Sequence, residues 1–128
     1  MYKNHLIRLN YPTGKLIGFT DEFFEYGTLW DYLPKGIYIN SIYPIKGKED
    51  EAINHLLDNI QSLRIRVLFV APEPFVIKHL KERGYVYYTD SAGCPYWTRL
   101  SEKGIAALCG RIHITEDQLR QQSRDYVV

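Results

Sequence analysis

The chain has 128 residues, a formal net charge of +1, and a composition of 45% hydrophobic and 24% charged residues that is typical of globular proteins. A chain of this length can build one hydrophobic core without disulfide or metal support, so we expect a single domain over residues 1–128. The small net charge offers no general attraction for nucleic acid or an anionic membrane. No apolar run is long enough to span a bilayer and no signal-peptide core is present, which predicts a cytoplasmic protein with no membrane partner.

The metal-binding and nucleophilic residue types follow no catalytic pattern. Cys94 and Cys109 lack the spacing of a metal or redox pair and are predicted to be free thiols. None of the four histidines lies four residues from another, so a helical metal pair is absent and no metal is expected. No segment resembles the strand–turn–helix of a nucleophile elbow.

The first third of the chain predicts strands. Alternating segments at 5–10 and 15–20 flank the turn YPTG and indicate a hairpin. Residues 26–30 and 36–42 predict two further strands. Residues 49–62 then predict a helix, because apolar side chains recur there on one face: these are Ala52, Ile53, Leu56, Leu57 and Ile60.

The remainder of the chain alternates between the two types of element. Residues 64–70 end in four apolar side chains, as a strand buried on both faces would. A helix over 74–83 follows, with prolines at its start and Gly84 after its end. Two segments around SAGC predict a C-terminal hairpin, and residues 101–125 predict a helical tail in two pieces broken near Gly110.

This order of elements predicts the α/β class, with a small mixed sheet. Strands 36–42 and 64–70 are expected to be adjacent and parallel. Helix 49–62 would connect them as a right-handed crossover.

Two segments, IYINSIYPIKGKEDEAINHLL and IRVLFVAPEPFVIKHLKERGYVYY, resemble the acetyl-CoA-binding half of the GNAT N-acyltransferase superfamily. In that family a strand ending near a proline leads into a pyrophosphate loop and a helix. A second strand, a second helix and a Gly–aromatic pair follow, here Gly84–Tyr85. The resemblance covers residues 36 to about 90 and implies a β-α-β-α-β core. It also implies that Lys46, Gly47 and Lys48 would contact the phosphates if acetyl-CoA binds.

The loop departs from the family pattern Arg/Gln-x-x-Gly-x-Gly/Ala, whose small residues let backbone N–H groups approach the pyrophosphate. Counting from Lys46 places Glu49 and Glu51 at the small positions, and counting from Lys48 places Glu51 and Ile53 there. Carboxylates in the first turn of a helix favour the helix by about 0.3–1 kcal/mol each, and they repel an anionic ligand. We therefore predict that the chain has no acetyl-CoA cofactor.

The positions that carry catalysis in the family also differ. The usual general-acid tyrosine corresponds to Leu80, and strand 36–42 contains no glutamate to act as the base. The short YPTG connection leaves no room for the two helices that the family places between its first two strands. The resemblance thus implies a GNAT-like protein-binding or assembly module without catalytic residues. It is similar to short GNAT-like proteins of tailed phages, some of them associated with the virion.

Two alternatives stay open at this stage. One is an active N-acetyltransferase in which Lys46, Gly47 and Lys48 bind acetyl-CoA through a divergent loop. The other is a winged-helix DNA-binding protein, which residues 76–109 also resemble: a recognition helix, a wing hairpin and a closing helix. A winged helix requires another helix where residues 64–70 predict a strand.

The C-terminal hairpin is the expected partner surface. Residues 85–99 hold five of the eighteen aromatic residues, and Tyr85 and Tyr87 should lie on the face opposite Tyr88. Either the helical tail covers the remaining face, or an aromatic patch stays exposed and binds a protein partner or a second copy. The residues predicted for this contact are Tyr88, Tyr96, Trp97 and Arg99.

Overall fold

The computed structural model describes residues 3–7, 12–31 and 36–128. The chain divides into two compact units, Met1–Val67 and Leu68–Val128, each built from strands and helices. The fold is therefore α/β, as the sequence predicted. The single-domain expectation stays a prediction.

The first unit contains five elements: β1 (Lys3–Ile7), α1 (Pro12–Ile17), β2 (Phe24–Asp31), β3 (Ile37–Pro44) and α2 (Glu49–Gln61). Strand β2 pairs antiparallel with both β1 and β3. Phe24, Leu29, Ile37 and Ile39 of β2 and β3 are buried and form the core of this sheet. The strand predicted at 26–30 is confirmed and is longer than expected.

The predicted second strand at 15–20 is wrong, because α1 occupies this part of the chain. The helix ends in a glycine motif: Gly18 has φ +104°, and the Phe19 amide N lies 2.8 Å from the Gly14 carbonyl oxygen. A Schellman ending of this kind requires a residue that tolerates positive φ. Strand β1 consequently pairs with β2, and the predicted hairpin, with only YPTG between its two strands, is wrong.

Helix α2 is confirmed within one residue of its predicted bounds. All five side chains of its predicted apolar face are buried, with Ala52, Ile53, Leu56 and Leu57 fully inaccessible. The helix packs against α1, since a Cβ at Gly18 would lie 3.3 Å from the Leu56 Cα.

The chain returns from α2 to the beginning of β3. The Ile37 amide N lies 2.9 Å from the Arg66 carbonyl oxygen, and a Cβ at Gly36 would lie 3.0 Å from that same oxygen. Glycine is thus required at residue 36 by the close approach of two backbone segments. This hydrogen bond joins the starts of the two strand segments that the sequence placed on either side of α2.

The second unit begins one residue into β4 (Val67–Val70) and contains five further elements: α3 (Pro74–Glu82), β5 (Val86–Thr89), β6 (Pro95–Thr98), α4 (Glu102–Ile112) and α5 (Glu116–Asp125). Strand β6 pairs antiparallel with β4 on one side and β5 on the other. Val67, Leu68 and Phe69 are consecutive buried residues, as the sequence predicted for a strand covered on both faces. Because β4 is a strand, the winged-helix alternative lacks the helix that it needs at this position.

The tail is helical in two pieces, as predicted, and the break falls at His113, three residues after Gly110, which lies inside α4. His113 adopts the left-handed conformation (φ +59°, ψ +44°) at the end of α4. Thr115 then begins α5 with a capping box, in which its hydroxyl accepts from the Gln118 amide and the Gln118 side chain accepts from the Thr115 amide. Glycine inside a helix costs only about 1 kcal/mol, so Gly110 does not end α4. The capping box at Thr115 fixes where the second helix begins.

The Leu57→Ala substitution tests the packing of α2. We expect a loss of about 2–5 kcal/mol of unfolding free energy, because the fully buried side chain leaves a cavity in the first unit. Urea denaturation measures this change. The exposed Gln61→Ala substitution in the same helix is the control and should alter stability by no more than about 0.5 kcal/mol. Equal effects of the two substitutions would contradict the described packing.

Candidate functional site

The loop before α2 uses its own carboxylate to satisfy its backbone. The Gly47 amide N lies 2.7 Å from Glu49 Oε1 and 3.0 Å from Glu49 Oε2, and the Lys48 amide donates to the Ile45 carbonyl. Gly47 has φ +88°, which makes glycine the favoured residue at this turn. The resemblance assigns Lys46, Gly47 and Lys48 to a phosphate. The backbone amides of Gly47 and Lys48 are already hydrogen-bonded inside the loop.

The Lys48 side chain contacts the segment before β2. Lys48 donates to the Glu22 carbonyl (Nζ–O 3.4 Å), and its ammonium lies 5.9 Å from the centre of the Phe23 ring. Lys46 is exposed. The Gly47 amide and the Lys48 ammonium therefore already have partners within the chain.

The four residues predicted for a partner surface do not share an exposed face. Trp97 is 1% exposed and Tyr88 is 5% exposed, whereas Tyr96 is half-buried and Arg99 is exposed. Tyr96 and Trp97 are consecutive in β6 and so point to opposite faces of the sheet. Two of the four predicted contact residues, Tyr88 and Trp97, are therefore buried within the unit.

The helical tail covers the face that carries Trp97. Tyr126, just after α5, packs edge-on against Trp97 with ring centres 5.4 Å apart and contacts Tyr87 at 4.8 Å. Phe69 packs against Tyr85, which places Tyr85 and Tyr87 on this side, and Tyr88 pairs with Tyr96 on the other. The predicted alternation along the hairpin is confirmed, and of the two outcomes foreseen, coverage by the tail is the one observed.

The turn of the hairpin is organised by the Asp90 carboxylate. It accepts hydrogen bonds from the amides of Ala92 and Cys94 and from the Tyr96 hydroxyl, each at 2.9 Å. These bonds, led by the one from Cys94, lower the pKa of Asp90. Burial, together with hydrogen bonds to Cys94 and Asp90, raises the pKa of Tyr96. The turn is a structural element, since its polar groups satisfy one another.

A pocket of about 250 Å³ lies within the second unit, and we call it the α3–β5–α5 pocket. Gly84, with φ +78°, ends α3 and turns the chain directly into β5, so that Tyr85 and Val86 form a buried floor. The pocket is lined by Lys81, Gly84, Tyr85, Val86, Arg120, Ser123 and Arg124.

The lining of this pocket is cationic. Lys81 comes from the last turn of α3, and Arg120 and Arg124 lie four residues apart on α5, so the two guanidinium groups share one face of that helix. No carboxylate belongs to the lining. In the described chain, Arg120 forms a salt bridge with Glu116 at 2.9 Å, and both side chains of this pair are exposed. Exposed pairs of this kind contribute only about 0.3–0.5 kcal/mol.

Tyr85 is held in its neutral form at the floor of the pocket. Burial raises its pKa to about 12, and the positive charges of Arg99 and Arg83 offset only part of this effect. A phenol with so high a pKa is a poor proton donor at neutral pH. Tyr85 therefore provides shape and a polar edge to the pocket.

Sequence reasoning missed this site because its cations are separated along the chain. Lys81 and Arg120 are brought together only when α5 packs on β5. The one local signal was the spacing of Arg120 and Arg124, which places two arginines on one face of a predicted helix.

Within the described ranges, no three His, Cys, Asp or Glu side chains are grouped so that they could hold a metal ion. No helix of the described chain is both long enough and apolar enough to cross a bilayer.

Comparisons with models of protein families, with curated proteins and with solved structures yield no significant match.

The raised pKa of Tyr85 predicts a loss of stability in alkali. Its folded-state pKa, about 12, lies above the usual value of about 10, so the stabilisation is complete below pH 10 and is lost as pH rises towards 12. Between these limits the slope is about 1.4 kcal/mol per pH unit. The Tyr85→Phe variant should lose stability less steeply over this interval in urea unfolding. Parallel curves for the parent and the variant would contradict the assignment.

Proposed function

We propose that this chain is a non-catalytic binding module with a degenerate GNAT-like fold, and that it acts through contact with a protein partner. The observation that carries the proposal is the pair of hydrogen bonds from the Gly47 amide to the Glu49 carboxylate. The loop that a transferase of this fold would use for a pyrophosphate is closed by an acidic side chain of its own.

The cost of placing a pyrophosphate in this loop supports the proposal. Each negative charge about 4 Å from the carboxylate is repelled by about 1 kcal/mol in water and by more where water is excluded. Glu49 is followed by Asp50 and Glu51 in the first turn of α2. An incoming phosphate would have to displace Glu49 from Gly47 and then remain beside three carboxylates.

The position that would supply the general acid gives further support. Leu80 stands there and is fully buried in α3, so it offers neither a proton nor access to substrate. The next tyrosine in the chain is Tyr85, whose pKa is raised to about 12. A proton-transfer step would therefore lack a donor suited to neutral pH.

A pair of stacked tyrosines in the first unit is the surface that best suits a partner. Tyr26 of β2 and Tyr43 of β3 are directly opposite in the sheet, with ring centres 4.1 Å apart, and are 40% and 42% exposed. Beside them, the hydroxyls of Thr28 and Ser41 are hydrogen-bonded to each other. Exposed tyrosines on a rigid sheet are typical of interface centres.

The charge near this pair indicates the chemistry of the partner. Burial, the neighbouring Tyr43 and the negative charge of Glu25 all raise the pKa of Tyr26. An electron-rich ring face favours a cation, because arginine stacks on tyrosine, and the negative charge of Glu25 acts in the same direction. We therefore assign the partner as a protein that presents arginine or lysine within an apolar patch. Free thiols at Cys94 and Cys109 fit the cytoplasm, and assembly on a virion is the setting that the family resemblance suggests.

The first test of this function concerns the cofactor. We expect acetyl-CoA to bind no more tightly than about 1 mM and to leave the melting temperature unchanged at modest excess. The Glu49→Gln variant, which removes about 1 kcal/mol of repulsion, should bind about fivefold better than the parent. Micromolar binding to the parent in calorimetry, abolished by Lys46→Ala or Lys48→Ala, would contradict the proposal and favour the transferase.

The second test concerns the stacked tyrosines. Replacing both Tyr26 and Tyr43 by alanine should weaken binding of the purified partner by at least about tenfold, since central interface tyrosines typically contribute 1 kcal/mol or more. The matched control replaces both by phenylalanine, which keeps the rings and should retain most of the affinity. Equal affinity of the parent and the alanine variant would place the interface elsewhere. If light scattering showed a dimer that only the alanine variant loses, the partner would be a second copy of the chain.

A further inference from the structure

We propose that the α3–β5–α5 pocket binds a small organic phosphate monoester. The phosphate would be held by Lys81, Arg120 and Arg124, and the organic group would lie over Gly84 and the edge of Tyr85. This inference does not depend on the proposed function, because it concerns a different set of residues.

The charge balance of the pocket favours an anion. Lys81 donates to the Tyr126 backbone carbonyl (Nζ–O 2.8 Å), and Arg124 donates to the Gln121 side-chain oxygen at 2.9 Å. Both of these acceptors are neutral, so the hydrogen bonds leave the positive charge uncompensated. Of the three cations, Arg120 alone bonds a carboxylate in the described chain, through its exposed pair with Glu116. A dianion in the pocket would meet a surplus of positive charge.

The geometry of the cations favours phosphate over a carboxylate. Arg120 and Arg124 present planar donor groups from successive turns of α5, and Lys81 approaches from the end of α3. Three donors from two elements match a tetrahedral group with several acceptor oxygens better than a planar carboxylate with two. The exposed Glu116 bridge is weak enough for Arg120 to exchange it for the ligand.

The size of the pocket limits the organic part of the ligand. Its volume of about 250 Å³ is smaller than the roughly 300–1,000 Å³ of pockets that hold drug-sized ligands, which favours a ligand smaller than a nucleotide cofactor. Gly84 adds no side chain, and a Cβ there would meet nothing within 4 Å, which leaves open space beside the floor. A phosphate with one small organic group matches this space.

Calorimetric titration of the full chain with phenyl phosphate, inorganic phosphate and phenol tests the proposal. Phenyl phosphate should bind at least about fourfold more tightly than inorganic phosphate, because burying even one methylene-sized part of the ring would add that much affinity. Phenol, which lacks the phosphate, should not bind. Binding should weaken as pH falls below about 6, where the phosphate becomes a monoanion. Phenyl phosphate that bound no better than inorganic phosphate would overturn the assignment of an organic phosphate.

Three variants locate the binding. Arg124→Gln should weaken phenyl phosphate binding by about ten- to a hundredfold, as loss of a charged hydrogen bond does. Arg124→Lys should restore only part of it, because lysine lacks the planar fork. Lys103→Gln removes an exposed cation of α4 outside the pocket and should leave affinity unchanged. Melting temperatures without ligand establish that each variant folds.

Each contrary outcome is decisive. Equal weakening by Lys103→Gln and Arg124→Gln would show a general electrostatic attraction and no site. If Arg124→Lys kept the full affinity for phenyl phosphate, recognition of the phosphate by the planar guanidinium group would be excluded. If a phosphotyrosine peptide bound much more tightly than phenyl phosphate, the assignment to a small molecule would be wrong, and the pocket would be a peptide site.

Discussion

The second unit depends on the contact between α5 and the backbone of Tyr87. The outer edge of β5 would expose an unpaired amide and carbonyl at this residue, but the Ser123 hydroxyl accepts from the amide at 2.7 Å and the Gln122 side chain donates to the carbonyl at 2.7 Å. The same Ser123 hydroxyl donates to the Leu119 carbonyl, so both of its bonds lie within the packed region. An edge strand that is closed in this way cannot pair with another chain.

The contact between α5 and β5 also sets the positions of the aromatic and cationic side chains nearby. With α5 held against β5, Tyr126 lies on Trp97, while Arg120 and Arg124 reach the rim of the pocket beside Lys81. In the loop before α2, the Glu49 carboxylate accepts a hydrogen bond from the Gly47 amide, which would otherwise be free to bind an anion. A glutamate thus engages the backbone of a loop in one unit, while three cations line a pocket in the other. This contrast shows why function has to be argued from sites and not from a fold resemblance.

The local sequence was sufficient to predict an element when that element's own residues form a clear periodic pattern. The periodicity of α2 predicted its bounds and its buried face, because five apolar side chains at helical spacing leave one solution. The prediction failed for α1, which has only six residues and is too short to show a period. Its segment KLIGFT alternates like a strand, and the helix is recognised only from Gly18 at positive φ and the Schellman bonds around it.

The sequence by itself determined the α/β class, the apolar face of α2, the alternation of the C-terminal hairpin and the acidic first turn of α2. Each of these follows from residues close together in the chain. Tertiary structure alone decided that Trp97 is buried and that Lys81, Arg120 and Arg124 line one pocket. Those outcomes depend on where α5 and Tyr126 pack, 29 to 43 residues further along the chain. Packing between distant segments leaves no periodic pattern in the sequence, because it is set by the shapes of both surfaces at once.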